Sequence, residues 1–162
     1  MSEVLVTRRR RIVRFTCHGV PAKPGVAGRL FGELGKRNVN IVHMFNTEHG
    51  KTEGDISFSV SEDSHDAARE AVEHVKDELG IRKVTEQHGL AILSFDLEEI
   101  NYETVLGTMA VSLSALEREN VDVKHIAASR SRVFVVLDDR EADKAAYLLS
   151  RVLKEEPIIH PI

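Results

Sequence analysis

The 162-residue sequence contains one cysteine, four prolines, no long apolar run and only a small net charge of −4. Cys17 cannot form an internal disulfide, and its place in an alternating apolar segment is typical of a buried free thiol. No apolar run approaches the roughly 20 residues that span a membrane, and residues 1–6 lack the basic-then-apolar order of a secretory signal. We therefore expect no membrane association and a reducing, cytoplasmic location.

The acidic balance also argues against a general affinity for nucleic acid. The exception is a row of four arginines, Arg8 to Arg11. Such a row can contact phosphate, or it can be a solvated loop or strand edge whose charge prevents pairing with other chains. Since no aromatic residues interleave with the arginines, we favour the second interpretation and expect no nucleic-acid partner.

What the chain does contain is an internal repeat. The segment Val39–Met44 recurs 82 positions later as Val121–Ile126, with the same alternation of apolar and polar residues. The flanking patterns recur in the same order, and this order predicts two copies of one structural unit.

Apolar spacing predicts, in the first unit, a strand, a helix, two strands, a helix and a strand. The predicted segments are 12–17, 26–37, 41–47, 55–60, 65–79 and 81–84. In the second unit, strands are predicted at 91–95, 121–127 and 132–137, with a helix after the first and another after the third.

This order predicts an α+β fold of two ferredoxin-like βαββαβ modules in tandem, each an antiparallel sheet with helices on one face. The expected modules are 8–87 and 88–162, the second completed by an N-terminal strand at 3–7. Because the helices cover only one sheet face, we also expect a homodimer.

Three segments carry a family resemblance. The run Gly19–Ala27 resembles the strand-to-helix turn of ACT domains, and Val39–Ile41 is similar to that family's Ile-Asn-Ile strand. Gly54–Val60 is similar to the Thr-Asp-Ile-Thr-Phe-Thr strand of aspartate kinase regulatory regions. The resemblance extends over about 19–153 and implies tandem ACT-like modules that bind an amino acid and regulate a kinase lobe. That lobe has no counterpart in this sequence, so we expect no enzyme activity.

A ligand site is predicted at the first turn on physical grounds as well. A helix that begins at Gly25 presents unpaired N–H groups that suit a carboxylate or phosphate, and Asn40 and Asn46 offer oxygens to an ammonium group. The alternative is a tight turn with asparagines that satisfy loop backbone; the family resemblance favours a site. The predicted ligand-binding residues are Val20, Ala22, Lys23, Pro24, Gly25, Val26, Ala27, Asn40, Ile41, Asn46, Asp55, Ile56, Ser129 and Arg130.

The sequence departs from the family pattern at three places. Ala22 stands where ACT domains usually have Asp, and Ile100–Glu103 replaces the Pro-Gly turn in the second unit. Ala127–Arg132 replaces a Ser-Thr-Ser-Glu run. These changes make a lysine effector less plausible there and favour an anionic ligand or a protein contact.

The remaining chemical motifs are weak. The eight histidines share no spacing typical of metal ligands, and adjacent strand residues such as Cys17 and His18 point to opposite faces. We therefore predict no metal, no cofactor and no catalytic residue.

The predicted function is a non-catalytic regulatory protein that binds an amino acid or similar small metabolite in feedback control of aspartate-family metabolism. The alternative is a ligand-blind interaction or dimerisation module. A separate partner enzyme is a further expectation.

Overall fold

The computed structural model describes residues 6–96, 102–129 and 131–154. The chain divides into two units, residues 11–88, here the N-terminal module, and residues 1–10 with 89–162, here the C-terminal module. Two long strands, β1 (Val6–Pro21) and β4 (Lys83–Asp96), contribute residues to both units. Where these strands pass from one unit to the other, Arg11 and Gly89 have positive φ angles of 54° and 66°. The boundaries predicted at 87 and 88 stay a prediction, and residues 3–5 of the predicted first strand lie outside the described residues.

The N-terminal module has the predicted βαββαβ order. Its elements after β1 are α1 (Val26–Lys36), β2 (Ile41–His49), β3 (Glu53–Ser61) and α2 (His65–Lys76), followed by the first part of β4. The strand order in this module is β2-β3-β1-β4, so β2 is an edge strand. β3 pairs antiparallel with both β1 and β2, and Phe58 lies opposite Phe15 and Met44.

The core of this module lies between the strands and the two helices. Phe15 and Phe58, both fully buried, stack with their ring centroids 5.3 Å apart. Other strand residues and the apolar stripes of both helices join them in one cluster, which includes Val13, Cys17, Val60, Leu30, Leu34, Ala68, Ala71, Val72 and Val75. Burial raises the pKa of the Cys17 thiol to about 12, so this cysteine is a neutral core residue.

The C-terminal module repeats this plan with shorter strands. Its further elements are α3 (Tyr102–Arg118), β5 (Val123–Ala128), β6 (Arg132–Asp138) and α4 (Ala142–Lys154). The strand order is β1-β4-β6-β5, and β6 pairs antiparallel with β4 and β5. The core gathers Ala91, Leu93, Phe95, Leu116, Val133, Val135, Leu137, Ala142, Ala145 and Leu149, with Val6 packed against it.

The predicted tandem α+β fold is therefore confirmed, with two differences in its elements. The strands predicted separately at 3–7 and 12–17 both fall, where the structure describes them, within the single strand β1. The segments predicted as separate strands at 81–84 and 91–95 form parts of the single strand β4. The polar residues between them, followed by Gly89, have the composition of a linker, but sheet pairing on either side keeps the backbone extended.

The arginine row lies in β1 and forms ion pairs within each module. In the C-terminal module, Arg8 donates to Asp143 at 2.6 Å and Arg10 to Asp139 at 3.1 Å. In the N-terminal module, Arg11 donates to Glu62 at 2.8 Å. Three of the four arginines are thus paired with acidic side chains of this chain, and the strand-edge interpretation of the row stays a prediction. None of the helices in the described residues is long and apolar enough to cross a membrane.

Candidate functional site

A cleft of about 580 Å³ opens in the N-terminal module between the start of α1 and the β2–β3 hairpin. This volume lies within the range of roughly 300–1,000 Å³ that small-molecule sites occupy. Its apolar wall consists of Val20, Val26, Phe31, Met44 and Ile56.

The turn between β1 and α1 forms one side of the cleft. Gly25 is the residue before the helix and has a φ of 90°, a conformation that glycine adopts without steric cost. A Cβ atom added there would meet no heavy atom within 4 Å, so the backbone is open to close approach. The Ala22 N–H donates to the Thr52 carbonyl at 2.9 Å, which ties this turn to the tip of the hairpin.

The start of α1 is electropositive and has no counter-charge of its own. Within the part of the chain that the structure describes, no side chain caps the helix, and no acidic residue lies in its first turn. The first N–H groups of a helix have no partner within the helix and carry the positive end of its dipole. Because Lys23, Val26 and Ala27 line the cleft, this helix start borders the space a ligand would fill.

The opposite side of the cleft contains acidic and amide groups. Asn46 and Glu48 come from β2, and Glu53 and Asp55 come from β3. Glu53 is paired with Arg82, and Lys51 lies at the hairpin tip. The cleft therefore presents groups of both signs within one small volume.

Asp55 is held rigidly at the base of this side. Its carboxylate accepts a hydrogen bond from the Gly19 N–H at 3.1 Å and lies 3.0 Å from His18 Nδ1 and 3.2 Å from His49 Nε2. Burial alone would raise the pKa of Asp55, but the hydrogen bonds from Gly19, His18 and His49 outweigh it and lower this pKa below its usual range. The other ring nitrogen of His18 is 2.8 Å from Thr85 Oγ1.

The structure brings together part of the predicted site. Eight predicted residues line the cleft: Val20, Ala22, Lys23, Val26, Ala27, Asn46, Asp55 and Ile56. Pro24 and Gly25 lie in the adjoining turn. Asn40 precedes β2 and Ile41 is its first residue, and neither is among the lining residues. Ser129 belongs to the C-terminal module, where its N–H donates to the Arg132 carbonyl at 2.8 Å. Arg130 lies outside the described residues.

The sequence-based list omits the hairpin wall of the cleft. The unpredicted lining residues on the hairpin are Met44, Thr47, Glu48, Gly50, Lys51, Glu53 and Gly54, and two more, Pro21 and Phe31, line the cleft outside the hairpin. The stretch 48–54 is polar with two glycines and resembles an ordinary surface turn. The sequence signal for this wall is Gly54, since a glycine next to a predicted strand often marks a close approach of two backbones. In the structure, a Cβ atom added at Gly54 would lie 2.4 Å from the Thr47 carbonyl oxygen, so glycine allows the two strands to approach.

Comparison with known proteins places these features in a family context. Residues 14–80 match the family model of the ACT domain, and this range includes both walls of the cleft. The aspartate kinase of Pseudomonas fluorescens is 26% identical over 137 residues, which cover 84% of this chain and 32% of that protein. An aspartokinase of Mycobacterium tuberculosis is 29% identical over 148 residues, covering 89% of this chain and 34% of that protein.

The chain thus spans about a third of the length of the curated relatives it matches. Among solved structures, the regulatory subunit of aspartate kinase from Thermus thermophilus, in a ligand-free form, superposes with a TM-score of 0.79 at 21% identity. That alignment covers 93% of this chain and 99% of the regulatory subunit, so the fold is shared along nearly the whole length.

Proposed function

We propose that this protein, whose residues 14–80 match the ACT-domain model and which resembles the regulatory region of aspartate kinases, is a non-catalytic regulator that binds an amino acid or similar small metabolite. The ligand would act in feedback control of aspartate-family amino-acid metabolism. The observation that carries this proposal is the cleft in which an uncompensated helix start faces acidic and amide groups.

This arrangement suits a zwitterion better than a simple anion. A ligand carboxylate would bind at the start of α1, where backbone N–H groups and Lys23 supply positive potential. An ammonium group would bind across the cleft, where the Asn46 amide oxygen and the Glu48 carboxylate are available as acceptors. The apolar wall then remains for the ligand side chain, which makes an α-amino acid the best-fitting class.

The test is a thermal-shift screen of the chain against the twenty amino acids, followed by calorimetric titration of each ligand that raises the melting temperature. A ligand that binds only the folded state must raise this temperature by mass action. We expect at least one amino acid to do so, and its carboxamide derivative to bind at least tenfold more weakly. If no amino acid shifts the melting temperature at millimolar concentration, the sensing proposal is wrong and the ligand-blind interaction module replaces it.

A matched pair of variants locates the site. Ala27→Asp adds a negative charge in the first turn of α1, where it stabilises the helix dipole and repels a carboxylate. Gly32→Asp makes the same charge change on an exposed position of the same helix that does not line the cleft. Affinity should fall at least tenfold in the first variant only. Equal affinities in the two variants would move the site elsewhere.

We further propose that the ligand acts through association with a second copy of this chain and with a separate catalytic subunit. Two observations support the association with a second copy: β2 is an edge strand of its module, and Met44 on that strand is 49% exposed. Sedimentation at micromolar concentration, with and without the ligand, tests the homodimer. A monomer under both conditions would contradict it.

A further inference from the structure

A second cluster of ligating side chains lies in the N-terminal module, away from the cleft. His65 is the first residue of α2, while Glu86 and His88 lie in β4. Glu86 Oε2 is 2.7 Å from His65 Nε2 and 3.0 Å from His88 Nε2. The two imidazole rings lie with their centroids 5.0 Å apart.

We infer that His65, Glu86 and His88 form a binding site for a divalent transition-metal ion such as Zn²⁺. One donor atom from each residue lies within 4.8 Å of the donor atoms of the other two. Two imidazole nitrogens and one carboxylate oxygen are a donor set that Zn²⁺ and its neighbours Co²⁺, Ni²⁺ and Cu²⁺ accept, whereas Ca²⁺ and Mg²⁺ prefer oxygen alone.

The present separations already approach those of a metal site. Bonds of roughly 2.0–2.1 Å at tetrahedral angles place neighbouring ligand atoms about 3.3 Å apart. The 2.7 Å and 3.0 Å separations at Glu86 Oε2 need to widen only by a few tenths of an ångström. The side chain of His88 is 52% exposed, so solvent can reach the site and water can complete the coordination.

The surrounding contacts orient the ligands. Asp66 Oδ1 lies 3.0 Å from His65 Nδ1, an arrangement that directs the other ring nitrogen of His65 toward Glu86. The His65 ring also stacks on Phe15 with a centroid separation of 5.7 Å. Arg69 donates to Glu86 Oε1 at 2.8 Å and to Oε2 at 2.9 Å, which fixes the carboxylate.

Arg69 also limits the affinity of the site. Its positive charge lies close to the place a cation would occupy, and Glu86 would share its carboxylate between the guanidinium and the metal. We therefore expect binding that depends on the imidazole nitrogens, and little or no binding of Mg²⁺ or Ca²⁺.

The experiment is a titration of the tag-free chain with Co²⁺, whose tetrahedral complexes absorb visible light, followed by calorimetric titration with Zn²⁺. The expected result is one metal ion per chain with visible bands typical of tetrahedral coordination, and no calorimetric signal with Mg²⁺. Absence of both Co²⁺ bands and Zn²⁺ heat would overturn the inference and leave the cluster as an ion-pair network.

Variants separate this site from histidines elsewhere. His88→Ala removes a half-exposed ligand, while His74→Ala removes an exposed histidine of α2 outside the cluster. Zn²⁺ affinity should fall at least tenfold in His88→Ala and stay unchanged in His74→Ala, because even residues behind the ligands change metal affinity about 10–100-fold. Equal affinities in the two variants would contradict the assignment. Glu86→Gln, checked by circular dichroism for its fold, should weaken binding in the same way.

Discussion

The two modules share a backbone plan but differ in the length of their hairpins. α1 and α3 end alike: Asn38 and Asn120 both have a φ of 55°. The next residue in each module, Val39 or Val121, donates its N–H to a buried leucine carbonyl, at 3.1 Å and 2.9 Å respectively. The register shift that follows in the edge strand also recurs, between Ile41 and His43 and again between Val123 and His125.

The β2–β3 and β5–β6 hairpins differ in the length of their strands. β2 and β3 have nine residues each, whereas β5 and β6 have six and seven. The longer hairpin supplies the acidic wall of the cleft at the start of α1. In the C-terminal module, a hollow of about 440 Å³ lies beside the end of α3, where Glu117 and Asp122 line it. The two hollows therefore adjoin opposite ends of a helix, a start that favours anions in the N-terminal module and an end that favours cations in the C-terminal module.

The largest expected effect comes from shortening a buried side chain at the equivalent position of each module's core. Leu34→Ala and Leu116→Ala remove fully buried side chains at matching helix positions, and each should lower the free energy of unfolding by about 2–5 kcal/mol. Urea unfolding followed by circular dichroism measures both. Leu106→Ala, at a residue 52% exposed, is the control. A loss below about 1 kcal/mol in only one module would break the equivalence.

The second-largest expected effect comes from Gly54, which allows the close approach of the two strands in the longer hairpin of the N-terminal module. In Gly54→Ala, the new Cβ would lie 2.4 Å from the Thr47 carbonyl oxygen, so the strands must separate. We expect a loss of about 1–3 kcal/mol in the free energy of unfolding, together with weaker ligand binding. Thermal melts and the calorimetric titration measure the two effects. Unchanged stability would show that the hairpin tolerates the wider spacing.

The repeated asparagines give a smaller and symmetric effect. Asn38→Ala and Asn120→Ala should each cost about 1 kcal/mol, because alanine adopts the left-handed conformation less readily. Replacement by glycine at either position should restore or exceed the original stability. Chemical denaturation of the four variants provides the comparison. Different signs in the two modules would show that one helix end is held by other contacts.

The smallest expected difference between the modules is in how their stability changes at low pH. Hydrogen bonds lower the pKa of Asp55 against the opposing effect of burial, and the hydrogen bonds from Arg132 lower the pKa of Asp96. A carboxylate with a lowered folded-state pKa stabilises the fold above the unfolded value of about 4, and this contribution is lost as pH falls through the folded-state pKa.

Asp55→Asn should therefore flatten the dependence of stability on pH below about pH 4. Asp96→Asn should act in the same direction and less, because its side chain is 53% exposed and screened by solvent. Unfolding measured in urea between about pH 2 and pH 6 tests both variants. A larger change in Asp96→Asn would reverse the expected ranking.

The sequence predicted the order of elements because apolar spacing depends mainly on local structure. Residues such as Leu30, Leu34 and Val60 lie in the core as their spacing indicates. The sequence did not predict that β4 is continuous, because residues 85–89 are polar and end in a glycine. Their extended conformation depends on pairing with strands distant in sequence.

The candidate sites likewise contain some residues that local sequence signals predict and others that depend on contacts between distant segments. The turn from Val20 to Ala27 was predictable because helix start signals are local. The hairpin wall, and the approach of Glu86 and His88 to His65, depend on strand pairing and helix packing across many residues. Sequence spacing carries no information about such contacts, which is why the histidines showed no metal pattern.

The long strand β1 also sets an order of events during synthesis. Its residues 6–10 are made before those of the N-terminal module, yet they belong to the module that needs residues up to α4. Arg8, for example, waits for Asp143, 135 positions later. A nascent chain that has emerged from the ribosome as far as His88 already contains all residues of the N-terminal module. The cleft can therefore form before the C-terminal module, which must wait until α4 has been synthesised.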